Sequence, residues 1–141
     1  MIEYVLALIR LLSGEIGVAE VVARIGPVET DSGWPIPMEL RPTALELRAA
    51  RLARYPDTGL PYALTIEPAD GAKPTVAELQ AALGDYQQTR TDRGMAPEVV
   101  FAPPASGPRW RVAVLARLEP GAGDFESCNV SRIVFRRDLA G

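Results

Sequence analysis

Any chemistry done by this sequence must be done without histidine. Its absence removes the Ser-His-Asp and Cys-His arrangements, the imidazole general base and the mixed His/Cys zinc site. Carboxylates are left as acid/base candidates: Glu67 with Asp70, and Asp124 with Glu126, lie close enough in sequence to share a proton. Both pairs flank turns, where acidic residues serve hydrogen bonding and solubility, and they are read as turn residues. Cys128 stands between Ser127 and Asn129 near an expected hairpin end. It could act only with an arginine or helix terminus to activate it and reads as an inert structural thiol, and a lone cysteine cannot close an intramolecular disulfide. Gly71, Gly84, Gly121 and Gly123 sit in turn or cap contexts, so no phosphate-cradling glycine motif is present. Asn129-Val130-Ser131 matches a glycosylation sequon, which matters only in a secreted chain. The expectation is a protein that is not an enzyme and needs no metal or cofactor.

Residues suited to recognition are easier to find. Arg132, Arg136 and Arg137 fall on the terminal strand, the first two on one face, and Arg48, Arg51 and Arg54 line the middle of the first half. Each could meet phosphate or carboxylate on a partner, although a solvated sheet face is the commoner reason for such residues. Trp34 follows Gly33 in a polar loop and Trp110 opens a strand after Gly107-Pro108. Large aromatics at such positions are enriched at interfaces. Trp34, Trp110, Arg132 and Arg136 are therefore the candidate partner-binding residues. A net charge of −3 offers no long-range field for nucleic-acid phosphates, so nucleic acid is not expected as a partner. Lys73 is the only lysine; with the high Ala, Gly and Pro content, the arginine bias reads as GC-rich bacterial coding.

These residues must be positioned by elements written in the hydrophobic pattern. Over Met1 to Leu12, Ile2, Tyr4, Val5, Leu6, Leu8, Ile9, Leu11 and Leu12 leave only a narrow wet stripe at Glu3, Ala7 and Arg10, predicting a helix over 2–13 buried on most sides. It packs into the core or, in the other reading, against a second copy in a homodimer. It is too short to span a bilayer, and it has no basic leader region or small-residue cleavage site, so a cytoplasmic protein without membrane attachment is expected. Val18, Val21, Val22 and Ile25 mark a second helix ended by Gly26-Pro27, and Thr75 with Glu78 caps a third, striped by Val76, Leu79 and Leu83 and ended by Gly84. Residues 27–37 and 86–95 read as polar loop, apart from turn signals at Asp31-Ser32-Gly33. Strands are predicted at 38–41, 62–67, 99–102, 110–118 and 130–136. Residues 43–55 carry both a capping box and strand alternation.

An internal repeat resolves that ambiguity. Gly17-Val18-Ala19-Glu20-Val21 through Ile25-Gly26 lines up with Thr75-Val76-Ala77-Glu78-Leu79 through Leu83-Gly84. Each copy continues to a short strand closed by proline, at Met38 to Pro42 and Val99 to Pro103. A longer segment follows, with Leu52-Ala53-Arg54 set against Leu115-Ala116-Arg117, and the last strands are Tyr62 to Glu67 and Ser131 to Arg136. Because Arg111 to Ala116 is plainly strand-like, its counterpart at 45–55 is read as strand. The expected fold is α+β, one domain over 1–141: two pseudo-repeats of a helix plus three antiparallel strands, 15–68 and 74–137, sharing one sheet of about six strands and one core. The N-terminal helix is extra and covers the seam.

In its order of elements, over residues 15–137, this pattern resembles the helix-plus-meander unit of the outer-membrane assembly lipoprotein BamE. Its doubling is similar to the β-lactamase-inhibitor-protein fold, in which tandem copies present a concave sheet to a protein partner. The sequence has neither the lipobox of the first nor the paired cysteines of the second. The resemblance implies a non-enzymatic protein-interaction module: an adaptor, inhibitor or immunity-type protein. A second expectation is a small-molecule binder with a pocket between helices and sheet, lined by Trp34, Trp110 or Tyr62.

Overall fold

The computed structural model describes residues 1–89, 97–104, 107–119 and 125–139. Asp124, Gly121 and Gly123, and the later part of the expected loop after Tyr86, lie outside these residues. Three helices begin with the periodicity seen in the sequence. Helix α1 (Ile2–Leu12) turns Val5, Leu8, Ile9 and Leu12 inward at helical spacing, and the Ser13 hydroxyl closes it by donating to the Ile9 carbonyl at 2.6 Å. In α2 (Val18–Ile25) the Glu20 carboxylate accepts from the Gly17 N–H at 2.9 Å. Helix α3 (Val76–Leu83) has the full reciprocal cap: Thr75 Oγ1 accepts from the Glu78 N–H at 3.2 Å, and Glu78 Oε1 accepts from the Thr75 N–H at 3.1 Å.

Eight strands form one antiparallel sheet: β1 (Val28–Thr30), β2 (Met38–Leu40), β3 (Leu47–Arg54), β4 (Pro61–Pro68), β5 (Tyr86–Gln88), β6 (Glu98–Phe101), β7 (Trp110–Leu118) and β8 (Val130–Leu139). Their spatial order is β1-β2-β3-β4-β8-β7-β6-β5, so two four-strand meanders meet where β4 pairs with β8. The fold class is α+β, as expected. Residues 47–54 are strand, not helix.

Two expectations fail. The sheet has eight strands where about six are expected, because Val28–Thr30 and Tyr86–Gln88, both read as loop, pair as edge strands. Second, the match of Leu52 with Leu115 joins opposite faces: Leu52 is fully buried beneath the helices, while Leu115 points to the other side of the sheet. Strand periodicity of two makes a one-residue slip in such an alignment change the face of every side chain.

All three helices share one hydrophobic core with the inward side chains of the sheet, including Leu52, Leu64, Ile66, Val114, Ile133 and Phe135, none more than 1% exposed. Each such side chain contributes about 1.5–3 kcal/mol by leaving water. Helix α1 packs on β7 and β8 and beside α3, and Leu8 is wholly buried within this chain. Any contact between copies through α1 is left with the half-buried Ile2, Leu6 and Leu11. No helix among the described residues is long and apolar enough to cross a membrane.

Candidate functional site

Covering one face of the sheet leaves the other face open, and antiparallel register arranges its side chains in rows. One row runs across seven strands as Glu39, Arg51, Thr65, Val134, Leu115, Val100 and Gln87. Beside it, Ala53, Ala63, Arg136 and Ala113 form a second row, and Arg132, Arg117 and Glu98 a third. Small and aliphatic side chains make the floor: Ala53, Ala63, Val134 and Leu115 line a depression of about 190 Å³ walled by Arg51, Arg117 and Arg132. Alternate positions along β3, β4, β7 and β8 build it, which is why their burial alternates between complete and partial.

The open face carries more arginines than carboxylates although the chain is acidic overall. Arg51 reaches Glu39 at 3.9 Å, and Glu67 is shared between Arg48 at 3.4 Å and Arg132 at 3.5 Å. Arg136 is held by Asp138 at 3.0 Å. Thus Arg132 and Arg136 do share one face, as their spacing implies. Glu67 and Asp70 do not act as a pair: the first faces arginines on the sheet, and the second meets Lys73 at 3.1 Å in solvent. The hydrogen bond from Lys73 holds the Asp70 carboxyl below its ordinary value.

The two tryptophans part company. Trp34 is 62% exposed in the loop before β2, with Ile36 beside it at 56%, and it lines a depression of about 500 Å³ with Asp31, Arg54 and Tyr55. Pro37, at the end of the same loop, borders the depression on the open face. Trp110 is 3% exposed and belongs to the interior, a correction to its assignment as a partner-binding residue. Its ring lies 4.0 Å beneath the Arg137 guanidinium. Tyr62, expected to line a ligand pocket between helices and sheet, stands partly exposed and edge-on to Tyr55.

Arg137 is the residue that sequence reasoning misplaced. Wholly buried, it donates from Nε to the Leu12 carbonyl at 2.7 Å, from Nη1 to Pro61 at 2.8 Å and from Nη2 to Gly14 at 2.9 Å. Desolvation lowers its proton affinity, and the three carbonyls with the Trp110 face compensate the charge. Tyr55 donates in turn to the Arg137 carbonyl. The signal was present: two consecutive arginines on a strand must face opposite ways, so one of Arg136 and Arg137 had to enter the core. Arg117, the other residue missed, becomes part of the site only through the pairing of β7 with β8.

Set against family models, curated proteins and solved structures, the chain matches none of them. Among the described residues, no cluster of His, Cys, Asp or Glu is placed to hold a metal ion.

Proposed function

We propose that this chain is a non-enzymatic protein-binding module that docks its partner on the open face of the sheet. The observation that carries the reading is that face itself: an uncovered antiparallel surface across β3, β4, β8 and β7, floored by Ala53, Ala63, Leu115 and Val134, with exposed Trp34 and Ile36 on the adjoining loop. Small floor residues let another backbone approach closely, and a projecting tryptophan is the side chain most often found at the energetic centre of an interface.

We further propose that the surface arose by doubling of a helix-plus-four-strand unit, with α1 added outside it. Supporting this, Leu64 pairs with Phe135 and Ile66 with Ile133, around Thr65 opposite Val134. If Leu64 corresponds to Ile133 and Ile66 to Phe135, exchanging the halves maps each pair onto the other, the pattern of a two-fold interface within one chain.

The test uses Ala63→Tyr, which fills the floor of the face without touching the core. The full chain, immobilised, is exposed to extract of its source cells, and any retained protein is cross-linked and mapped. Expected is a partner held by the natural chain, lost by Ala63→Tyr, with cross-links on outward residues of β3, β4, β7 and β8. A partner retained equally by Ala63→Tyr, or cross-linked only to the helices, overturns the reading.

A further inference from the structure

We infer that the open face receives an acidic side chain of the partner, a glutamate or aspartate carboxylate seated between Arg117 and Arg132. This rests on the protein-binding reading and names the partner's chemistry. Arg117 and Arg132 are directly opposite each other on β7 and β8, an arrangement in which like charges repel at close range. Neither guanidinium is well served by the chain. Arg117 makes no side-chain hydrogen bond or ion pair among the described residues, even with Glu98 directly across from it. Arg132 keeps its Nε buried without an acceptor, and its Nη2 reaches only the Glu67 carboxylate, which Arg48 also engages.

A buried donor without an acceptor is costly, and an acceptor brought by a partner relieves that cost. A carboxylate fits best. It accepts from two guanidinium forks at once and cancels the repulsion between them. At about 190 Å³ the depression admits one side chain and falls short of the roughly 300–1,000 Å³ of small-molecule pockets. The aliphatic floor of Ala63, Leu115 and Val134 matches the methylene stem of a glutamate, and the Thr65 hydroxyl adds a donor at the wall. The charge excess of this face, set in a chain of net charge −3, draws an acidic segment to it and keeps that segment off the rest of the surface.

The experiment is an NMR titration of the full isotope-labelled chain with hexaglutamate at low ionic strength, with inorganic phosphate as a second probe. Expected are saturable shifts centred on the amides of Thr65, Arg117, Arg132 and Val134, and an apparent Kd at least tenfold weaker in Arg117→Gln and in Arg132→Gln. Arg117→Gln should melt at or above the temperature of the natural chain, because it removes a repulsion and no hydrogen bond or ion pair of its side chain. Shifts that do not saturate or fall elsewhere, affinity unchanged in Arg117→Gln, or a stronger response to phosphate than to hexaglutamate each overturn the inference. A partner lost by Ala63→Tyr yet held at full affinity by Arg117→Gln overturns it too, while leaving the docking face in place.

Discussion

The two halves of the sheet carry the same succession of helix and four strands but are fastened at opposite ends of their helices. In the first half the C-terminus of α2 is the anchor: the Thr43 N–H and hydroxyl both donate to the Ile25 carbonyl, and Gly26 is pressed against the Arg41 backbone. In the second half the N-terminus of α3 is the anchor, with the Val76 N–H donating to the Cys128 carbonyl and Val130 to that of Pro74. Helix α1 deepens the asymmetry. It belongs to neither meander, and its C-terminus is held by the second half, through Arg137; at the corresponding place late in β4 stands Pro68, also buried. A shared pattern of apolar residues, first-turn glutamate and closing glycine therefore marks each half, while unshared polar contacts decide how each half is tied to the molecule.

The largest difference between the halves should appear at Arg137. Arg137→Ala leaves the Leu12, Gly14 and Pro61 carbonyls without their donor and opens a cavity above Trp110, a loss of about 3–5 kcal/mol. Urea unfolding should show it, with α1 amides gaining hydrogen exchange first. Next come the helix-ending glycines, both at positive φ. At Gly26 a Cβ would stand 1.7 Å from the Arg41 carbonyl oxygen, whereas at Gly84 it meets nothing within 4 Å. Gly26→Ala is expected to cost about 3 kcal/mol through displaced backbone and Gly84→Ala about 1 kcal/mol through conformational strain alone. Equal losses in thermal unfolding would erase the claimed difference in anchoring.

That contrast also marks how far the sequence could be read. Both helices were legible because apolar spacing and a closing glycine agree at 18–26 and 76–84, with a cap at Thr75 besides, yet nothing local says that one glycine is jammed and the other open. Strand β3 was legible only by likeness to β7, since its capping box argued for helix. Edge strands β1 and β5 were not legible: Val28-Glu29-Thr30 is exposed throughout and Tyr86-Gln87-Gln88 has no apolar alternation, so backbone pairing holds them without burial to leave a pattern. Within the site, period two placed Arg132 and Arg136 together. It could not bring Arg117 opposite Arg132, because register depends on the β7–β8 pairing and its irregularity near Leu118. Trp34 and Trp110 look alike in sequence, each shortly after a glycine, and only the packing around Arg137 separates the exposed ring from the buried one.

A smaller effect follows from exchanging the caps. Thr75 supplies α3 with a side-chain acceptor that Gly17 cannot give α2. Thr75→Ala should lose about 1 kcal/mol, and Gly17→Thr should gain about 0.5 kcal/mol, since Gly17 already has the extended backbone of a cap. Chemical denaturation of the two variants measures both. A gain at Gly17 would mean that the first half simply lacks the side-chain cap the second half has; a loss would mean that its approach to α2 is built around glycine.

The smallest expected effect lies where the halves join. Lys73, before α3, bridges Asp70 at 3.1 Å and Glu119 at the end of β7, while the corresponding place before α2 is Glu15, paired with Arg109 in solvent. Hydrogen bonding to Glu119 and then to Asp70 raises the Lys73 pKa above its ordinary 10.5, and hydrogen bonding to Lys73 lowers that of Asp70 below 3.8. A depressed carboxyl contributes stability that is present above its unfolded pKa and lost as pH falls through the folded one. A raised ammonium contributes stability that is present below its unfolded pKa and lost as pH rises through the folded one. The gap in melting temperature between the natural chain and Lys73→Met should therefore be constant from about pH 5 to 9 and narrow at both extremes. A gap that widens on acidification would show that Lys73 acts through packing of its stem and not through the two carboxylates, and the joint between the halves would then be apolar like the rest of the core.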